Sequence, residues 1–344
     1  MSDDKVRICS HPFSRYESGY KPTYIPCCSA WLTDDYYAQE GGSDFWNGPA
    51  AQRLREKILV GDYSFCKRDQ CQMPLKTMDE IIANPDGETG TPISAENLQA
   101  MIRGEVVMPD GPSAMILSLD QKCNLACPTC RTAKITTQDP VSQALATDEL
   151  SLLWKNRATV KNIKMSGNSE IFFSPDQRKM LTQMSKENFP KLSYLHVITN
   201  GLLFTQKTLD DLRPGTDYIE VISLSIDAGS EEVYNVTRGG DWKRLQENIK
   251  LMKSMRLSKK LRYFELLYVV RKANFRDMEN VVRIAHEASA DRVRFIQFNV
   301  WDNMGIVDYD SEAVHLTHHP LHQEFREICS RLKNDPKVLI GFNI

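Results

Sequence analysis

The sequence predicts an α/β protein: a parallel sheet built from repeated strand–helix units, preceded by a smaller, irregular segment. Three observations carry this. From about residue 113 onward, short β-branched runs alternate with longer amphipathic stretches. Helix-start and turn residues such as Ser174-Pro175, Asn200-Gly201 and Asp227-Ala228-Gly229 separate them. Residues 1–112 show neither period for long.

The strands are expected at Ala114–Leu119, Asn162–Met165, Ser193–Ile198, Ile219–Ile226, Tyr263–Val270 and Arg292–Val300. The helices between them are expected at Thr147–Asn156, Asp176–Glu187, Thr205–Leu212, Glu231–Met255 and Arg276–Ala288. A last helix, Leu321–Lys333, and a short apolar run, Val338–Phe342, follow. The earlier part offers one clear helix, Pro49–Val60, and so little apolar pattern that it needs a staple or a metal to fold alone. The domains are therefore expected at 1–112, 113–335 and a terminal segment 336–344, with the first boundary near Pro109–Pro112.

With 43 basic against 45 acidic residues among 344, the chain has a net charge of −2, which removes the electrostatic case for general nucleic-acid binding. No apolar run approaches the roughly 18 residues that span a bilayer. The start, MSDDKVRICS, lacks the apolar core of an export signal. The expected setting is the cytoplasm, away from membranes. There, nine cysteines argue for metal binding rather than disulfides, and all but Cys329 precede residue 131. Cys329 lies on an amphipathic helix and reads as an apolar core residue.

Directly after the first expected strand comes Asp120-Gln-Lys-Cys123-Asn-Leu-Ala-Cys127-Pro-Thr-Cys130-Arg131. Three thiolates in this spacing wrap one compact metal centre but leave one coordination position open. The segment resembles the signature of the radical S-adenosylmethionine (radical SAM) superfamily. The resemblance implies a partial (β/α)6 barrel and an enzyme in which Cys123, Cys127 and Cys130 hold a catalytic [4Fe-4S] cluster, with S-adenosylmethionine on its open iron. Thr129 stands where the family commonly has an aromatic residue. A zinc knuckle with a remote fourth ligand is the bland alternative.

The same resemblance assigns cofactor contacts further along. Met165-Ser166-Gly167-Asn168-Ser169-Glu170 is similar to the family's glycine-rich element, which makes Gly167 and Glu170 the expected partners of the methionine ammonium. Thr199-Asn200-Gly201 at the next strand end is also usual in the superfamily. Read from period alone, the fourth strand places Ser223, Ser225 and Asp227 on one face, and a buried face of that kind needs a polar occupant. By resemblance, Ser225 contacts the ribose and Arg238 stands near the methionine carboxylate; the plain alternative for Arg238 is a surface cation. Gln297 and Asn299 are candidates for the substrate end.

The remaining cysteines have a pattern of their own: Cys9-Ser-His-Pro-Phe, Gly19, Tyr24-Ile-Pro-Cys27-Cys28, Phe45-Trp46-Asn47, Gln52-x-Leu54-Arg55, Gly61 and Cys66-x4-Cys71. This resembles the auxiliary iron–sulfur region of SPASM and twitch proteins, although it precedes the barrel instead of following it. The resemblance implies a second [4Fe-4S] cluster on Cys9, Cys27, Cys66 and Cys71, with Cys28 able to replace Cys27. Four sulfurs fit tetrahedral zinc equally well.

Together these imply that a flavodoxin- or ferredoxin-type donor reduces the catalytic cluster. S-adenosylmethionine is then cleaved to a 5′-deoxyadenosyl radical, which takes hydrogen from a substrate. A peptide or protein side chain is the leading expectation for that substrate, with a small metabolite, sugar or nucleotide as the alternative. A non-catalytic iron–sulfur electron carrier and a zinc-stabilised binding module are the rival classes.

Overall fold

The computed structural model describes residues 5–18, 24–28, 31–37, 45–69, 71, 73–86, 91–165, 167–300 and 308–342. The chain forms two compact units, one comprising 1–119, 140–166 and 185–194, the other 120–139, 167–184 and 195–344.

In the first unit, strands β1 (Arg15–Ser18), β2 (Tyr24–Ile25), β3 (Ala114–Leu117) and β4 (Asn162–Met165) lie in the order β2-β1-β3-β4. β1 pairs antiparallel with β2 and parallel with β3, and β3 is parallel to β4. Helices α1 (Asp34–Tyr37), α2 (Pro49–Leu59), α3 (Met78–Ala83), α4 (Ala95–Ile102) and α5 (Pro140–Lys155) complete it. α2 starts on Pro49, and α3 on a capping box in which Thr77 and Glu80 satisfy each other's backbone N–H.

The expected break near residue 112 is not where the structure divides. Arg15, Tyr16 and Glu17 are in register with Ala114, Met115 and Ile116, so the early segment supplies the strand beside β3. Nor is that segment poor in core. Ile8, Phe13, Ile25, Leu32, Leu54, Ile58, Phe65, Leu98 and Met101 bury together with Cys9 and Cys27. These side chains come from many short elements, so no window of sequence shows their period. β1, which reads Arg-Tyr-Glu-Ser, carries an ion pair between Arg15 and Glu17 on one face and looks like no strand by composition.

The second unit holds parallel strands β5 (Tyr194–Thr199), β6 (Ile219–Ser225), β7 (Tyr263–Val270), β8 (Arg292–Gln297) and β9 (Val338–Ile340), in that order. Its helices are α6 (Pro175–Gln183), α7 (Gln206–Asp211), α8 (Glu231–Thr237), α9 (Trp242–Leu257), α10 (Met278–Glu287), α11 (Tyr309–Glu312) and α12 (His322–Leu332). Cys329 is buried on α12 among core residues.

The expected long helix from Glu231 to Met255 is two. Gly239 adopts φ +66°, a conformation that favours glycine, and Asp241 then caps α9 by accepting the Arg244 N–H at 3.0 Å. Arg238 is thereby the C-terminal cap of α8, not a mid-helix surface residue.

The two faces of this sheet differ. Leu195, Val197, Phe264, Leu266, Val293 and Phe295 are fully buried, while the alternate residues Ile198, Ser225, Leu267, Val269, Arg294 and Ile296 are only half-buried. Parallel sheets normally cover both faces. No helix among the described residues is long and apolar enough to cross a membrane.

Candidate active site

The cysteine loop follows β3 and opens the second unit. Its shape is set by main-chain bonds: Cys123 N–H donates to Ile135 O at 2.9 Å, and Cys130 N–H and Arg131 N–H both donate to Cys127 O, at 2.8 and 3.0 Å. Beneath it, the fully buried Asp120 carboxylate accepts from the Ser174 hydroxyl, from Gln177 Nε2 at 3.1 Å and from Lys122 N–H at 3.1 Å. Ser174 also caps α6, so the loop is pinned to a helix start.

Each thiol has a different neighbourhood. Cys123 Sγ accepts Leu125 N–H at 3.5 Å, and Asn200 Nδ2 lies 3.8 Å from it. Cys127 is buried with its thiol 3.9 Å from Arg238 O, and burial pushes it up to about 11 although the Arg238 guanidinium pulls it down. Cys130 receives Arg131 Nη2 at 3.1 Å and Nε at 3.3 Å. Cys123 is raised by burial as well.

Glu170 is buried, and its carboxylate accepts the Thr199 hydroxyl at 2.7 Å, the Asn200 N–H at 2.7 Å and the Phe172 N–H at 3.4 Å. Burial raises its pKa, against the pull of the Asn200 and Thr199 donors. The carboxylate therefore braces the end of β5, and of its roughly four acceptor positions three are used. Gly167 sits so close to β5 that a Cβ would lie 3.2 Å from Ile198 Cγ2. Ser166 lies outside the described residues, as does Gly19.

On β6 the expected polar face resolves into different roles. Ser223 donates to Glu265 Oε1 at 2.7 Å and meets His196 Nε2 at 2.8 Å, while Arg294 closes on Glu265 Oε2 at 3.0 Å. Ser223 is thus satisfied within the sheet. Ser225 is half-buried, and its hydroxyl makes no hydrogen bond among the described residues. Asp227 does not continue the alternation: β6 ends at Ser225, and Asp227 has φ 52°. Its Oδ2 pairs with Arg238 Nη1 at 2.9 Å and its Oδ1 accepts Val269 N–H at 2.7 Å.

Arg238 is buried, and its Nε has no hydrogen-bond partner among the described residues. Burial alone would lower its pKa, but the Cys127 thiolate and Asp227 outweigh it and hold the guanidinium charged. Gln297 reaches the Tyr309 hydroxyl at 3.3 Å, and Asn299 lies past the strand end, bonded at 3.4 Å to Gln297 O.

Residues 118–285 match the model of the Radical SAM superfamily. This segment is similar to a radical SAM domain. Over 201 residues the chain is 25% identical to "Molybdenum cofactor biosynthesis protein 1" of Drosophila melanogaster, covering 56% of this chain and 34% of that protein. Its fold is similar to that of Streptococcus suis SuiB bound to S-adenosylmethionine (14% identity, TM-score 0.46, 76% of this chain and 59% of the other). It is similar also to a radical SAM methyltransferase from Sphaerobacter thermophilus (15% identity, TM-score 0.43, 66% and 65%).

The family implies a [4Fe-4S] cluster and S-adenosylmethionine, and the residues of the radical SAM domain fit both in donor chemistry. Three thiols share one loop with no fourth, N–H groups face two of their sulfurs, and in the same unit the buried Arg238 Nε and the Ser225 hydroxyl have no hydrogen-bond partner among the described residues. No three His, Cys, Asp or Glu side chains among the described residues are close enough together to hold a single ion.

The early cysteines all fall in the first unit. Cys9, Cys27 and Cys71 are buried and Cys66 half-buried. Burial pushes Cys9 up to about 11, and the Cys71 and Cys66 thiolates add to it. Burial also raises Cys27 strongly, with Cys9 and Cys66 contributing, and raises Cys66, with Cys71 contributing. Residues from four parts of the chain therefore act on one another. A bridge between Leu32 and Cys66, another between Ile8 and Lys76, and the Cys71 N–H bond to Lys67 O bring them together. Arg68 Nη1 donates to Cys71 Sγ at 3.5 Å.

Trp46, Asn47 and Arg55, which belong to the same sequence pattern, are scaffold. The buried Arg55 guanidinium lies over the Trp46 ring at 4.6 Å and bonds Pro12 O and Val106 O, each at 2.8 Å, while Asn47 ties down Met108 at both N–H and C=O.

Proposed function

We propose that the protein is a radical SAM enzyme that cleaves S-adenosylmethionine reductively and removes hydrogen from a peptide or protein side chain. The observation that carries this is the open-site triad Cys123, Cys127 and Cys130 on a pinned loop of the radical SAM domain. When bound, the cluster and S-adenosylmethionine supply a 5′-deoxyadenosyl radical, with the electron drawn from a flavodoxin- or ferredoxin-type donor.

The chain's own residues hold and orient. Cys123, Cys127 and Cys130 ligate the cluster. Gly167 lets the ligand approach the backbone, and the remaining acceptor position of Glu170 receives the ammonium. Ser225 offers its hydroxyl to the ribose, and the unpartnered Nε of Arg238 faces a carboxylate. The half-buried sheet face of the second unit receives the substrate, apolar at Ile198, Leu267 and Ile296 with a few polar groups among them.

The early unit, in this reading, is a SPASM/twitch-like region holding a second [4Fe-4S] cluster on Cys9, Cys27, Cys66 and Cys71. Cys27 is favoured over Cys28 because it is the more deeply buried and feels both Cys9 and Cys66. A cluster held there would supply an electron acceptor for the oxidised substrate or a brace for its pocket.

Anaerobic reconstitution followed by dithionite and S-adenosylmethionine tests the core reading. Formation of 5′-deoxyadenosine and about eight irons per chain are expected. Colourless, zinc-containing protein that forms none would make it a binding module. The likeness to a molybdenum cofactor biosynthesis protein favours a small metabolite as the second substrate reading. Incubation with candidate peptides and with a nucleotide panel, scored for mass loss of hydrogen, separates the two.

A further inference from the structure

Arg131 is 5% exposed, and all of its bonds to described residues are to groups without formal charge: Cys130 Sγ through Nη2 and Nε, Gln121 O through Nη1, and Asn168 O through Nη2 at 2.7 Å. It pairs with no carboxylate among the described residues. A buried guanidinium is costly unless something negative meets it. The contrast is Arg238, whose backbone carbonyl lies by Cys127 and whose charge is answered by Asp227 at 2.9 Å. Among the described residues that bond Arg131, the candidate for the missing negative charge is the Cys130 sulfur, neutral as a free thiol and anionic once it ligates iron. The same side chain also spans two loops, because Asn168 lies between Gly167 and Glu170.

We infer that Arg131 is a positioning residue of the redox centre: it supplies the buried positive charge that favours the reduced cluster, and it ties the third iron ligand to the loop carrying Glu170. The inference rests on the triad being the cluster's ligands. Reduction adds one electron to the iron core and moves no proton, so the reduced state carries one more negative charge than the oxidised state. A fixed cation against a ligating sulfur stabilises that state more, and charge and hydrogen bonds at sulfur are among the levers on cluster potential. The planar fork of arginine suits the second task, since one side chain reaches a sulfur and two carbonyls at once.

The test is redox titration of the reconstituted full chain, with dithionite as the one-electron source. The cluster signal that responds to S-adenosylmethionine is followed by electron paramagnetic resonance in wild type, R131Q and R131K. R131Q keeps polarity and loses charge. At a fixed potential its reduced-to-oxidised ratio should fall at least tenfold, which is about 59 mV for a one-electron couple. R131K keeps the charge, so its potential should stay near wild type, while loss of the fork should speed iron loss to a chelator. Cluster uptake by R131K but not by R131Q would support the inference equally, because charge separates the two. A wild-type potential in R131Q overturns it, as does identical behaviour of R131Q and R131K, including failure of both to take up iron. A wild type that takes up no cluster overturns both this and the triad reading; a cluster whose potential ignores Arg131 overturns this one alone.

Discussion

The two cysteine groups are built in opposite ways. Cys123, Cys127 and Cys130 fall within eight residues on one loop, and their surroundings are polar and pre-arranged: Asp120, Asn200, Arg131 and Arg238 all touch the loop or its sulfurs. Cys9, Cys27, Cys66 and Cys71 are spread over more than sixty residues; Cys9 and Cys27 lie in an apolar core, Cys71 is buried and Cys66 half-buried. The first group is a local motif set on the fold; the second exists only once its unit has folded. Loss of one early thiol should therefore act on that site and leave both the apolar core and the loop standing.

Breaking the loop should give the largest effect. The triple change Cys123→Ala, Cys127→Ala, Cys130→Ala should abolish 5′-deoxyadenosine formation and remove about four irons per chain, leaving about four at the early site. Retained cleavage activity would end the central reading.

The converse sharpens the comparison. Cys9→Ala or Cys71→Ala should lose the early site's iron while part of the uncoupled cleavage survives. Because the early unit has its own apolar core, its protease resistance should largely persist, whereas Phe13→Ala within that core should cost about 3–5 kcal/mol in denaturant unfolding. Cys27→Ser and Cys28→Ser compared by cluster absorbance identify the ligand, with loss expected for Cys27. Full iron in every one of these variants would reduce the early cysteines to ordinary core thiols.

Glu170 offers a smaller test. Glu170→Ala should weaken S-adenosylmethionine binding by roughly tenfold to a hundredfold, the range for losing a charge-assisted hydrogen bond. It also strands the Thr199 hydroxyl and the Asn200 N–H, so Glu170→Gln, which keeps an acceptor for one of them, should recover stability more than affinity. Unchanged affinity by calorimetry in both variants would confine Glu170 to bracing β5.

The mildest effect is in pH. Burial holds the protonated form of Cys127 and of Cys9, moving each from the ordinary 9 up to about 11. For a thiol raised on folding, the stabilisation is complete below the unfolded value and disappears as pH rises through the folded one. In the iron-free chain this thiol contribution should accordingly be constant below about pH 9 and be lost between about pH 9 and 11. Melting curves across that range, repeated on Cys9→Ala, should show part of the slope vanish.

Much of this was legible beforehand where the pattern was local. The cysteine spacing, the strands at Asn162–Met165 and Tyr263–Val270 and the cap at Ser174 all announce themselves within a dozen residues. What stayed hidden depended on long-range pairing. β1 is a polar tetrapeptide that becomes a strand only by lying beside β3, and nothing in the local sequence marks the buried role that Arg131 takes once its three acceptors are in place. The alternation rule failed at Asp227 because the strand had already ended, and the single long helix failed at Gly239 because a helical period on both sides of a break looks continuous.

The half-buried face of the second unit's sheet has a thermodynamic consequence. Leu267, Val269, Ile198 and Ile296 keep part of their hydrocarbon in contact with water there, where a fully covered parallel sheet would not. A compound that settles on this face must remove that hydration, so its binding should carry a negative heat-capacity change in proportion to the apolar surface it covers. An adventitious ion or a polar bystander would not. Calorimetry at several temperatures thus offers a way to recognise the true substrate by how it dries the protein, before its chemistry is known.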